Sequence, residues 1–199
     1  MTNHSTTNSG QLSFDDLLGE AASENAAYCF ERETGHLPSD YDEAMPFFRD
    51  LVDRHHAAML IADVGEVRRL REEAGNLAQR LNGGEAGILA HDDAPGYVLA
   101  RSVASQPDSV PLWGEEGSFV ITAGTMRVRI EIEGMFGIGV GAMFWPGFSA
   151  HIVDPDKPFL SDTGYRSFLG IAGAPVAGMT PDTFAREVIN AYINSEKNI

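Results

Sequence analysis

The feature that most constrains this chain is a change of hydrophobic period at Asn82, Gly83 and Gly84. Before it, apolar residues recur at helical spacing; after it, they alternate in short runs punctuated by Gly and Pro. Ser13 followed by Asp16 reads as a helix N-cap with an acid three positions on. Behind it Phe14, Leu17, Leu18, Ala21, Ala22, Ala26, Cys29 and Phe30 form one stripe that Gly35 ends. A second helix is predicted from near Asp42, with Pro46 tolerated in its first turn and Met45, Phe48, Leu51, Val52, His55 and Met59 inward. Asp63 and Glu66 have capping-box-like spacing for a third helix. Its core face is Val67, Leu70, Ala74, Leu77, Ala78 and Leu81, and its other face is Arg68, Arg69, Arg71, Glu72 and Glu73. No strong breaker stands at residues 60–63, so these two helices either part there or run on as one.

Beyond Gly84 the pattern predicts strands over residues 97–104, 118–122, 126–133, 137–144, 148–153 and 167–172. In 126–133, Met126, Val128, Ile130 and Ile132 alternate with Arg127, Arg129, Glu131 and Glu133, which gives one core face and one wet face. Joined to 118–122 across Ala123, Gly124 and Thr125, this is an antiparallel hairpin. Thr180 and Pro181 open a closing helix with Phe184, Val188, Ile189, Tyr192 and Ile193 inward. Alternating βα units are missing, so the expected class is α+β: N-terminal helices followed by an antiparallel sheet and a C-terminal helix. Residues 1–12 read as a disordered tail, because Ser, Thr, Asn and Gly offer nothing to bury. Residues 13–84 form a helical region and 85–199 a sheet domain with its helix, and in 199 residues the two are expected to pack as one unit.

The formal net charge is -15 and is unevenly placed. Over residues 15–53, eleven carboxylates face only Arg32 and Arg49. Such a field repels a phosphate backbone and attracts a basic protein, so direct nucleic-acid binding is not expected. Partner-binding candidates are therefore Asp15, Asp16, Glu20, Glu24, Asp40, Asp42 and Glu43. The bland alternative is an acidic face that keeps the protein in solution. The start of the chain has no basic-then-apolar leader, no run approaches the roughly 20 apolar residues of a membrane span, and Cys29 is the single cysteine. These predict a cytoplasmic protein with no membrane contact.

Candidate chemistry falls in four places. Asp162, Thr163 and Gly164 spell the aspartic-protease triplet, yet Ser161 breaks the apolar strand such a site needs, and an Asp-Gly turn accounts for the residues equally well. His91, Asp92 and Asp93 with His55 and His56 have the ingredients of a His-Asp metal site, but the pair lies in a loop ahead of Pro95. His55 fits a helix seam better and His56 fits solvent. His151, Asp154 and Asp156 make a third cluster, readable as a general base with carboxylates or as strand-end turn chemistry. Arg166, after Tyr165, either meets an anionic group or is the counter-ion of Asp162 or Asp156. Cys29 sits on an apolar stripe with no histidine beside it and reads as an inert thiol. No phosphate-cradling loop occurs, and neither cofactor nor metal is expected.

The runs HHAAML (55–60), RLNGGEAGILA (80–90), DDAPGYVLAR (92–101), PGFSAHIVDPDKPFLSDTGYRSFLGI (146–171) and TPDTFAREVINAY (180–192) resemble a family of uncharacterised proteins carried on bacterial plasmids and integrative elements. The resemblance covers most of residues 45–195 and transfers no catalytic residue. It implies a setting, in which small acidic proteins serve element maintenance or the defeat of restriction and CRISPR. The leading expectation is a non-enzymatic, anti-defence inhibitor whose acidic helices bind a basic host protein, one that itself binds nucleic acid. The alternative is a small hydrolase or nucleotide-processing enzyme centred on His151, Asp154, Asp162 and Arg166. A third reading is a homo-oligomer joined through Phe144, Trp145 and Phe148.

Overall fold

The computed structural model describes residues 14–155 and 159–196. Its helices are α1 (Phe14–Thr34), α2 (Tyr41–Leu60), α3 (Val64–Leu81), α4 (Pro95–Ser102) and α5 (Pro181–Glu196). Its strands are β1 (Glu116–Ala123), β2 (Met126–Glu133), β3 (Phe148–Ile152) and β4 (Tyr165–Phe168), paired antiparallel in chain order. The chain is thus α+β, with helices first, an antiparallel sheet next and a helix last. By contacts it divides into two units, Met1–His36 and Leu37–Ile199.

In the first unit, α1 ends where the Thr34 hydroxyl donates to the Phe30 carbonyl (2.8 Å) and the Gly35 N–H to that of Glu31 (2.7 Å). Leu17 and Leu18, expected to face inward, are exposed, and Cys29 is half-buried. Ser13, the expected N-cap, lies outside the described residues.

In the second unit, α2 opens at Tyr41 with Asp40 as its N-cap, whose carboxylate accepts the Glu43 N–H at 3.0 Å. Pro46 is therefore the sixth helical residue rather than part of the first turn, and it withholds the N–H that would reach Asp42, an exposed position. The second and third helices are separate. Asp63 N–H bonds the Ala58 carbonyl (3.0 Å) and Ala62 N–H that of Met59 (3.1 Å), with Ala62 at φ 59. This is a Schellman ending in which alanine fills the left-handed position that glycine usually holds. Asp63 then caps α3 by accepting the Glu66 N–H at 3.0 Å, so one residue closes one helix and opens the next.

Two predicted strands are corrected. Residues 97–104 fall mostly in α4, because Pro95 occupies its first turn and Leu99, Ala100 and Val103 are buried at helical spacing while Tyr97 and Arg101 are exposed. Residues 137–144 are turns within the β2–β3 connection, where Gly139 has φ 82 and no ladder partner is present. The last strand is β4, shorter and earlier than the predicted 167–172. The β1–β2 hairpin holds, with Ala123 opposite Met126 and Gly124 at φ 59 in a two-residue turn.

The sheet buries Phe119, Ile121, Val128, Ile130, Phe148 and Ala150 on one face, where Phe184 of α5 meets Phe148 edge-on. Trp145 and Phe184 stack at 4.8 Å, and Trp113 lies 5.6–5.8 Å from both. Trp145 (4% exposed) and Phe148 (3%) therefore belong to the core, not to a surface on which copies could join.

A polar spine crosses this core. His55 Nδ1–H donates to the Trp113 carbonyl (2.9 Å), His56 Nδ1 accepts the Trp113 N–H (3.0 Å), and the Trp113 indole donates to the Met179 carbonyl (2.8 Å). His55 Nε2 accepts Arg71 Nε–H (3.1 Å), which requires the neutral Nδ1–H tautomer. Arg71 also donates to the carbonyls of Val140, Met143 and Phe144 at 2.7–2.9 Å, holding the β2–β3 connection against α3. His56 is thus a ligand of backbone rather than a solvated residue, and Arg71 is half-buried and bonded inward rather than on the wet face.

Burial pushes His55 down to about 4 from 6.5, with the Arg71 charge adding in the same direction. Between pH 6.5 and 4 the unfolded chain binds a proton the folded one refuses, so stability is full above 6.5 and falls as pH drops toward 4. Urea titrations across that range should show this group removing up to about 3 kcal/mol, and His55→Gln should flatten the slope while lowering stability at pH 7.

Candidate functional site

Acidic residues divide by the work they do. On α1, Asp16, Glu20 and Glu24 follow one another at helical i,i+4 spacing and are exposed, as are Leu17 and Leu18 beside them. Like charges at that spacing cost a helix roughly 0.2–0.5 kcal/mol per pair, so the Glu20–Glu24 pair is a local expense of the fold. Asp15 belongs to the first turn of α1, and its side chain lies outside the described residues. Arg32, in the last turn, is the sole basic side chain of the helix. At α2 the situation reverses. Asp40 is the N-cap, while Asp42 and Glu43 occupy the first turn, where the positive end of the helix dipole favours them.

The sheet separates the residues of the enzyme reading. Register pairs His151 with Tyr165 and Ala150 with Arg166, so His151 and Arg166 project from opposite faces. Arg166 lies on the α5 side, its guanidinium 3.9 Å from the centre of the Tyr192 ring and 5.7 Å from that of Phe168. On the outer face His151 Nε2 meets Glu131 (3.0 Å) and Ser149 (3.2 Å). Because serine and carboxylate share one ring nitrogen, the trio cannot pass a proton from one to the other through the ring as a Ser-His-acid triad does. Asp154 takes both Nε–H and an Nη2–H of Arg127, at 3.0 and 2.6 Å. Asp156 lies outside the described residues.

Asp162, Thr163 and Gly164 form the β3–β4 turn. Gly164 has φ 72, its carbonyl accepts the Ile152 N–H (2.9 Å), and the hydroxyls of Ser161 and Thr163 both reach the Tyr165 carbonyl. Asp162 is exposed at the tip. His91, Asp92 and Asp93 are exposed in the loop ahead of α4, where Arg101 holds the Asp92 carbonyl. Among the described residues no three His, Cys, Asp or Glu side chains are placed to hold a metal ion. No helix among them is long and apolar enough to cross a membrane.

Sequence reasoning missed one feature. A cavity of about 300 Å³ lies between α3 and the β2–β3 connection, lined by Arg68, Arg71 and Glu72 with Val64, Val67, Met135 and Phe144 among its apolar walls. The signal was present, since Arg71 follows Val67 by four residues and so shares its helical face.

Fold and surface together define an α+β protein with an acid-ridged helix and an open, polar sheet face. In sequence it is similar to two proteins of Escherichia coli, each called Protein KlcB, at 35% identity over 162 and 167 residues. Those alignments take in 81% of this chain but 39% and 34% of the relatives, so the chain spans well under half the length of the curated proteins it matches. No family model matches it, and no solved structure does.

The division of acids is measurable by unfolding of the second unit. Asp40→Ala should cost about 1 kcal/mol through the lost cap, whereas Glu20→Ala and Glu24→Ala should leave that transition within about 0.5 kcal/mol of the parent.

Proposed function

We propose that this chain is a non-enzymatic interaction protein of a mobile genetic element, an anti-defence inhibitor whose acidic helices engage a basic surface of a host protein. The observation that carries the reading is the exposed ridge of Asp16, Glu20 and Glu24 on α1. Its Glu20–Glu24 pair opposes the helix, and cationic side chains of a partner would relieve that repulsion. Exposed Leu17 and Leu18 add apolar area beside the charge, a combination suited to a protein surface. The resemblance to proteins of plasmids and integrative elements supplies the anti-defence setting. A nucleic-acid-binding host protein is the natural target class, because its basic surface is one that an acidic ridge can occupy in place of phosphates. In the second unit Asp42 and Glu43 give α2 an acidic first turn of its own, while Asp40 serves the helix itself.

The test is a triple reversal, Asp16→Lys with Glu20→Lys and Glu24→Lys, compared with the parent in capture from host lysate at about 0.1 M salt, where charges act over roughly 10 Å. The variant should lose a basic protein that the parent retains, with its helical circular dichroism unchanged. Retention of the same proteins with the same salt dependence would remove the proposal.

A further inference from the structure

The cavity between α3 and the β2–β3 connection has a chemistry of its own, independent of the acidic ridge. Arg71 reaches across its inner wall, and every one of its hydrogen-bond partners is neutral: three backbone carbonyls, His55 Nε2 and the Met59 sulfur. No carboxylate pairs with it among the described residues, so its charge is balanced only by dipoles. Arg68 stands one turn earlier on the same cavity, is exposed, and makes neither a hydrogen bond nor an ion pair with any described residue. The contrast is Arg69, whose guanidinium is taken by Glu66 and Glu73 at 2.6–2.7 Å. Two of the three α3 carboxylates, Glu66 and Glu73, thus go to Arg69, and neither cavity arginine is paired with one.

The rest of the wall is apolar, with Val64, Val67, Met135 and Phe144, and methionine is suited to variable ligand shapes. Its volume is at the lower end of small-molecule sites. Glu72 also lines it, four residues after Arg68 and not paired with it. An anionic head must therefore lie on the Arg68 side, and Glu72 disfavours it.

We propose that this cavity binds a small amphiphilic carboxylate, its apolar body among Val64, Val67, Met135 and Phe144 and its carboxylate on the Arg68 guanidinium, with the half-buried Arg71 charge behind it. Arg71 takes a further part, because its carbonyl bonds fix the loop that forms the far wall. A planar carboxylate suits the two-pronged donation of a guanidinium.

Three probes of equal tail length decide the matter: octanoate, octanol and octyltrimethylammonium, titrated into the full chain and followed by the methyl resonances of Val64, Val67 and Met135. Octanoate should bind about tenfold or more tighter than octanol, as a charge-assisted hydrogen bond gives, and the ammonium weakest. Arg68→Gln should bring octanoate down to the level of octanol, Arg68→Lys should restore part of the difference, and Glu72→Gln should tighten octanoate several-fold. Ala142→Trp, at an exposed lining position, should block all binding with the melting temperature kept. Absence of octanoate shifts up to about 10 mM, or equal affinity for the three probes, would overturn the site.

Discussion

The second unit depends on a neutral histidine held between a carbonyl and a guanidinium. His55 gives its proton to the Trp113 carbonyl and takes one from Arg71, so a single ring ties α2 to α3 and both to the loop that leads into β1. Arg71 extends the tie to the connection that leaves β2, and the Trp113 indole extends it to the segment just before α5. Helices, sheet and closing helix are therefore joined by directional bonds within an apolar interior, where an unmade partner costs about 1–3 kcal/mol. Such bonds set where the elements sit; area burial alone does not choose among near-equivalent packings.

Close approach of backbones reinforces this junction. At Gly134, with φ 70, a Cβ would lie 2.8 Å from the Gly114 carbonyl oxygen, so the exit of β2 and the approach to β1 meet where only glycine fits. The Met135 N–H bonds that same carbonyl at 3.1 Å. The loop beyond is shaped by Arg71 rather than by strand pairing, and the cavity on α3 is a result of that choice.

Much of the architecture could be read from the residues because periodicity is a local signal. The Met126–Glu133 alternation, the Asp63 cap and the Pro181 helix start each depend on neighbours in sequence. The failures share a cause: 97–104 and 137–144 are short, largely apolar runs whose period alone does not separate strand from helix or turn, and tertiary partners help to decide their form. For α4 the partner is the Ile88–Leu89 segment packed on Gly96, and for 137–144 it is a guanidinium some 70 positions earlier in the chain. Ala62 in a left-handed conformation gave no residue-type cue at all for the break between α2 and α3. At the candidate sites, sequence proximity was misleading. Strand alternation sends His151 and Arg166 to opposite faces, and helix capping engages Asp40, while Glu20 and Glu24 remain available at the surface.

The functional account rests on that remainder, charge left at a surface after the fold has used what it needs. Its most direct measurement is a salt series on the unmodified chain: proteins retained from host lysate at about 0.1 M are released in steps toward 1 M, as the screening length falls from roughly 10 Å to 3 Å, and identified. The account predicts one predominant basic protein, held at low salt and released well before the end of the series. Retention of nothing at any salt, or of partners indifferent to salt, would contradict it.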